Sequence, residues 1–264
     1  MLKNIIYKDK MNTSKKKAVI YTCITGNYDQ LNNHSYIHPD WDYVCFTDDP
    51  SIKNRNNASW EIKPLVFDEM DNARNNRWHK LHPHILFPEY ERSIYADSNI
   101  NFLSNELFDD INIAIKESKN ISLGPHYSRN CIYDELDACL KFEKDDPEIM
   151  KKQIDLIRKE GFPENYGLFE NNIIYREHHN KDVIKIMNDW WWWVENYSRR
   201  DQLSFTYVLW KNKLRISPLS NTPYRNSKKI SLWHNSKHIT KEELIRQKRI
   251  FSELFKKIKE KHHG

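Results

Sequence analysis

Arg92-Ser93-Ile94-Tyr95-Ala96-Asp97-Ser98-Asn99-Ile100 is the stretch that decides the fold. Ile94, Tyr95 and Ala96 form an apolar run bounded by charge, the signature of a short buried strand. Beyond the run, Asp97-x-Asn99 sets two oxygen-bearing side chains at alternate positions. A carboxylate and an amide at that spacing can hold one divalent cation. Hard cations such as Mg²⁺ or Mn²⁺ take ligands of this kind and usually keep a phosphate oxygen as another. Asp-Ser-Asn is also an ordinary turn sequence, because Asp and Asn bond their own backbone locally. Turn and metal site both stand until the rest of the chain is read.

Upstream, Lys17-Ala-Val-Ile-Tyr-Thr-Cys-Ile-Thr25 is a β-branched run unbroken by charge, as in a central parallel strand. It leads into Gly26-Asn27-Tyr28-Asp29, where Gly26 permits a tight turn or the close approach of a ligand. In an open α/β sheet ligands sit beyond the carboxyl ends of such strands, which makes Thr25, Gly26, Asn27 and Tyr28 candidate contacts. Trp41–Thr47 reads as a second strand, ending in Asp48-Asp49-Pro50. Trp60–Phe67 reads as a third, with Pro64 placing it at an edge. A helix is predicted from Asn72 to Phe87, and Arg74, Arg77 and Lys80 form a drifting basic face on it. That face is either solvated or turned toward an anion near Asp97.

Downstream, helices are predicted over 105–116, 131–142, 147–160 and 182–197, with strands over 120–124 and 166–175. His126 and Arg129 occupy the loop before the second of these helices. The acids Asp134, Glu135 and Asp137 near its start suit the helix dipole, so not all of them are read as catalytic. Glu170 and Asn171 open the later strand. Trp190-Trp191-Trp192-Trp193 step by about 100° per residue, so they cannot all face one core. Asp201, beside Gln202, is either the N-cap of a helix running through Trp210 or a carboxylate aimed into a cleft. Ile230–Asn235 is a late strand carrying His234. From Thr240 a basic amphipathic helix is predicted, suited to packing on the domain, pairing, or an anionic membrane surface.

Strands alternating with helices indicate an α/β domain whose mixed, mostly parallel sheet is flanked by helices. Over 264 residues the expected division is a flexible leader at 1–17, one domain at 18–238 and the C-terminal helix at 239–264. Lys and Arg outnumber Asp and Glu by 42 to 37, a surplus of 5 concentrated at the ends, which argues against a nucleic-acid-binding fold. The four cysteines, Cys23, Cys45, Cys131 and Cys139, form no C-x-x-C pair and read as buried thiols of a reducing compartment. No stretch is apolar enough to span a bilayer and no signal-peptide core is evident. A cytoplasmic location follows as an expectation, with peripheral contact on the inner membrane face through the terminal helix.

The order of these pieces resembles GT-A glycosyltransferases, in which an Asp-x-Asp strand and a late histidine hold Mn²⁺. More closely it resembles the TOD/MUCI-like glycosyltransferase family. The residues that carry this are Tyr21–Asp29, Phe46-Thr-Asp-Asp49, Lys80-Leu-His-Pro-His84, Ser93–Asn99, His126–Glu135, Gly167–Asn171 and Arg200–Phe205, within residues 18 to 235. Tyr127 stands where the family often has Pro and Asn130 where it often has Asp. The resemblance implies a GT-A-like fold and transfer of a sugar from a nucleotide-diphosphate sugar, UDP favoured, to a glycan or lipid-linked acceptor. It implies Mn²⁺ or Mg²⁺ on Asp97, Asn99 and His234. Arg77 and Lys80 would meet phosphate, and Asp48 with the Gly26–Asp29 turn would face the nucleoside. From their own loop, His126 and Arg129 are either a surface pair or groups that reach phosphate or acceptor, with Asn171 and Gln202 beside the donor. Asp201 would be the general base of an inverting reaction. In a retaining one Asp201 would orient the donor and Glu170 would be the residue to watch. Two alternatives remain on sequence grounds: a carboxylate-pair hydrolase and a non-catalytic binding module on the same fold.

Overall fold

The computed structural model describes residues 16–54 and 59–233. The elements in chain order are β1 (Lys16–Ile24), β2 (Asp42–Thr47), β3 (Glu61–Pro64), α1 (Asn72–Leu81), α2 (Pro83–Leu86), β4 (Tyr90–Ala96) and β5 (Ile100–Phe102). They continue with α3 (Glu106–Lys116), β6 (Ile121–Pro125), α4 (Ile132–Lys141), α5 (Pro147–Lys159), β7 (Phe169–Arg176), α6 (Lys181–Asn196), α7 (Phe205–Lys211) and β8 (Ile230–Leu232).

Six strands form one sheet in the order β3-β2-β1-β4-β7-β6, and β5 pairs with β8 in a separate ribbon. The β3-β2, β2-β1 and β1-β4 pairs are parallel, whereas β4-β7 and β7-β6 are antiparallel. This is the mixed, mostly parallel sheet expected, with β1 in a central place and Pro64 on the edge strand. Ile94 of β4 lies between Ile20 of β1 and Tyr175 of β7 in the register. Side chains alternate across the sheet. Val19, Tyr21 and Cys23 enter the core that holds Trp190, Leu203 and Phe205, while Ile20 and Ile24 enter the core on the other face, with Phe108, Ile111 and Tyr224. Both faces are covered, which is why these strands read as continuous apolar runs.

Several boundaries differ from the sequence expectation. The predicted helix over 72–87 is two helices, because Pro83 lacks the N–H that would continue α1 and restricts His82 before it. The 92–100 strand leaves the main sheet after Ala96, and its last residue begins β5. Asp201 does not cap a long helix: a 3-10 turn spans Asp201–Leu203 and α7 starts only at Phe205. Of the four tryptophans of α6, Trp190, Trp191 and Trp193 are buried and Trp192 is 49% exposed, the sweep that the helical period dictates. β1 already begins at Lys16, inside the expected leader. The rest of that leader and the predicted helix at 239–264 lie outside the described residues. All four cysteines are buried and free.

Candidate active site

The α1 helix starts cleanly because the Asp71 carboxylate accepts the backbone N–H groups of Ala73 and Arg74, satisfying two orphan donors. Its basic residues then part company. Arg74 turns away and donates to the Val194 and Tyr197 carbonyls at the end of α6, where a cation opposes the dipole. Arg77 and Lys80, one turn apart, point to Asp201. Lys80 Nζ lies 2.6 Å from Asp201 Oδ2 and 3.9 Å from Asp97 Oδ1, and Arg77 Nε lies 3.3 Å from Asp201 Oδ2. Lys80 and Asp201 are both buried, at 1% and 3% exposure. Burial works against the Asp201 charge, but Lys80, Arg77 and Arg200 overcome it and hold the carboxyl well below the usual carboxylate range. The Trp190 indole N–H donates to the Asp201 carbonyl at 2.9 Å, and Tyr21 Oη and Arg176 Nη1 both donate to the Lys80 carbonyl. The ion pair is therefore braced from the core on both sides.

Around this pair runs a cleft lined by Arg77, Lys80, Asp97, His126, Tyr127, Arg129, Glu135, Glu170, Asn171, Asn172, Arg200, Asp201, Gln202 and Arg225, among others. Nine of the sequence candidates meet here: Arg77, Lys80, Asp97, His126, Arg129, Glu170, Asn171, Asp201 and Gln202. The antiparallel pairing of β4 with β7 explains the meeting, since it sets the end of one strand against the start of the other. The Asp97 N–H donates to the Asn172 carbonyl at 2.8 Å. Glu170 is 3% exposed, and Arg225 Nε stands 3.1 Å from its Oε1. Burial raises the proton affinity of Glu170 above the ordinary range, with Arg225 opposing. The Asn171 side-chain oxygen and nitrogen are buried and without a hydrogen-bond partner among the described residues. A buried amide left open on both atoms costs stability unless a ligand completes it.

The other candidates form a second group at the carboxyl ends of β1 and β2. Gly26 and Asn27 have φ of 62° and 53°. A Cβ at Gly26 would fall 2.1 Å from Asn72 Nδ2, so with its positive φ this position favours glycine, and any side chain here would have to displace Asn72. The Gly26 N–H donates to Asp48 Oδ2 at 2.7 Å and Thr25 Oγ1 donates to the Asn72 carbonyl at 2.7 Å. Tyr28 is 56% exposed. Asp48 and Asn72 line a separate hollow with Thr47, Lys63 and Met70. Ser98 Oγ donates to Asp29 Oδ2 at 2.6 Å, tying this turn to the Asp97-x-Asn99 segment.

Asp97 and Asn99 supply hard oxygen donors, a set that suits Mg²⁺ or Mn²⁺. Asp97 lines the cleft with about a third of its side chain open, and Asn99 is half-buried beside it. Among the described residues no three His, Cys, Asp or Glu side chains form a metal-binding group. The third expected ligand, His234, lies outside the described residues. The chain reaches the neighbourhood, however: the Trp233 N–H donates to the Asn99 carbonyl at 2.7 Å, extending the β5-β8 pairing.

Sequence reading missed Glu135, Asn172, Arg200 and Arg225. Glu135, buried on α4, takes Arg129 Nε at 2.6 Å and has Arg200 Nη2 at 3.8 Å and His126 Nε2 at 3.9 Å. Its place in the first turn of α4 had offered a dipole explanation, and its burial was the missing signal. Arg200 and Asn172 adjoin residues that were singled out. Nothing local marked Arg225.

Residues 3–238 match the TOD1/MUCI70 glycosyltransferase-like domain. The chain belongs to this family. Membership in the TOD1/MUCI70 family makes it a glycosyltransferase-like protein, and the mixed, mostly parallel sheet flanked by helices is the α/β architecture expected. No curated protein matches the chain. Among solved structures, apo mouse xyloside xylosyltransferase 1 is similar over 73% of this chain and 79% of its own, at 8% identity and a TM-score of 0.42. Galactosyltransferase LgtC, solved with donor and acceptor sugar analogues, is similar over 73% and 69%, at 11% identity and a TM-score of 0.39. S. aureus TarS 1–349 is similar over 73% and 55%, at 12% identity and a TM-score of 0.38. No helix among the described residues is long and apolar enough to cross a membrane.

Proposed function

We propose that this TOD1/MUCI70 family member is a metal-dependent hexosyltransferase. It moves a sugar from a nucleotide-diphosphate sugar, UDP favoured, to a glycan or lipid-linked glycan. The observation that carries the reading is the convergence, in one cleft, of Lys80 and Arg77 with Asp97 and with the unpartnered polar atoms of Asn171. Cations held in a low-dielectric site suit a diphosphate leaving group. Mg²⁺ or Mn²⁺ on Asp97, Asn99 and His234 would act as a Lewis acid toward the leaving diphosphate. Asp48, which lines the second hollow, and the Gly26–Asp29 turn bonded to it suit the nucleoside.

In the transfer the bond from the anomeric carbon to the diphosphate oxygen breaks, and its electron pair leaves with the nucleoside diphosphate. The acceptor hydroxyl oxygen forms the new bond to that carbon and gives up its proton. Asp201 is a poor acceptor for that proton, because Lys80 and Arg77 already occupy its charge. Its role in this reading is to hold those two cations. Glu170, with high proton affinity and a place in the cleft, suits the base of an inverting transfer, or the carboxylate facing the sugar in a retaining one. Asn171 and Gln202 suit donor hydroxyls, and His126 and Arg129 suit phosphate or acceptor. The reading places the enzyme in the cytoplasm, with residues 239–264 as a contact on the inner membrane face. The free thiols favour a reducing compartment.

Calorimetric titration with UDP and with GDP, with and without Mn²⁺, followed by sugar-nucleotide turnover, tests this. The expected result is metal-dependent binding lost in Asp97→Ala. Metal-dependent binding without turnover would leave a binding module, and sugar binding without nucleotide or metal would point to a hydrolase.

A further inference from the structure

The segment that joins α7 to β8 is a strap that the transfer scheme above leaves unused. It is fastened along its length. Ser122 Oγ on β6 donates to the Ser217 carbonyl at 2.7 Å, and the Leu219 N–H donates to the Leu123 carbonyl at 2.8 Å. Tyr224 is fully buried, its ring so close to Gly124 that a Cβ there would lie 2.9 Å from Cδ2. Lys229 Nζ pairs with Asp110 on α3 at 2.6 Å, and the strap then becomes β8 and reaches Asn99 through Trp233. The residue after the buried Tyr224 anchor is Arg225. Its guanidinium lies 5.0 Å over the Tyr127 ring and 3.1 Å from the Glu170 carboxylate. No other residue of the cleft forms an ion pair with Glu170 among the described residues.

A carboxylate removed from water needs an opposite charge beside it to stay charged and to keep one orientation. We propose that Arg225 is the positioning residue of Glu170: anchored by Tyr224 and steered by the Tyr127 ring, it holds the Glu170 carboxylate charged and aimed at the reacting sugar. This deepens the transferase reading and rests on it. It also makes the strap a physical link between the Glu170 side of the cleft and the Asn99 end of the Asp97-x-Asn99 segment.

The test is a double-mutant cycle on turnover of the full chain with UDP-sugar and Mn²⁺, using Arg225→Met, Arg225→Lys and Glu170→Gln. Arg225→Met should lower kcat about tenfold to a hundredfold, with little change in donor KM, and should lose most of that effect in the Glu170→Gln background. Arg225→Lys, which restores the charge, should recover most of the loss. An equal loss from Arg225→Met in both backgrounds would overturn the proposal. So would a loss that tracks the unfolding midpoint, or one that lysine does not relieve. If Glu170→Gln turns over too slowly to close the cycle, lysine rescue and the kcat-against-KM split decide. A wild-type chain inactive on every sugar nucleotide sinks the transferase reading itself, whereas an active wild type with additive variants sinks only the role of Arg225.

Discussion

The cleft contains two buried carboxylates that differ in what surrounds them. Asp201 has an ammonium at 2.6 Å and a guanidinium at 3.3 Å, and a core tryptophan fixes its backbone. Glu170 has one guanidinium, from an arginine whose side chain is about a third exposed, and the side-chain amide of its neighbour Asn171 has no hydrogen-bond partner among the described residues. The first acid is complete without a ligand and the second is not. A buried acid whose cations are supplied by the fold organises the site, whereas one left short of partners is where a substrate has something to add.

The largest effect that would break this contrast is on stability. Asp201→Ala leaves Lys80 and Arg77 without their nearest counter-ion, with only the half-buried Asp97 at 3.9 Å from Lys80, and should cost about 3–5 kcal/mol in chemical denaturation. If the variant unfolds at the wild-type midpoint, Asp201 does not anchor the two cations. Glu170→Gln should do the reverse. Its unfolding midpoint should stay at or above the wild-type value, while turnover falls by about 10²–10⁴, the range for losing a general base. A variant that loses stability and keeps turnover would exchange the roles of the two acids.

Acid should act on the core through its buried histidines. Burial pushes His79, His82 and His34 down to about 4 and His178 down to about 3. These rings are neutral when folded and take a proton more readily when unfolded. Their contribution is therefore complete above about pH 6.5, the unfolded value, and is lost as pH falls from there toward 4. The expected slope is roughly 1.4 kcal/mol per pH unit for each histidine, read from denaturation midpoints between pH 7 and 4.5. A flat profile would mean that these rings are not held neutral. Gly124→Ala, which presses a methyl group on the Tyr224 ring, should cost about 1–3 kcal/mol and loosen the strap. The smallest effect is expected at Trp192, half exposed with its ring against Trp193 and Tyr197, whose change to alanine should cost about 1 kcal/mol.

Local chemistry made much of the sheet legible. β1, β2 and β4 announce themselves because strands covered on both faces need apolar residues at every position, and Pro64 marks an edge because it cannot donate to a ladder. The glycine turn after β1 was legible because glycine alone takes a positive φ at no steric cost, as Gly26 does. Asp201 stayed open between a helix cap and a cleft carboxylate, because an aspartate before a helical run has the same sequence whether its carboxylate turns back to the backbone or reaches a lysine on another helix. Glu135 carried the same ambiguity at the start of α4. Arg225 carried no signal, because its meaning comes from Glu170, which lies far away in the chain.

The amino-acid order alone determined where the chain extends and turns, that β1 belongs inside the sheet, and which side chains carry oxygen donors at a spacing fit for a cation. Those are properties of neighbours along the backbone, set by hydrogen-bond geometry and by the period of burial. Tertiary structure decided which acid is saturated and which is open. That difference depends on charges brought within a few ångströms by the antiparallel return of β7, the inward face of α1 and the strap before β8. Coulomb energy and desolvation act on distance in space, and sequence separation does not report it.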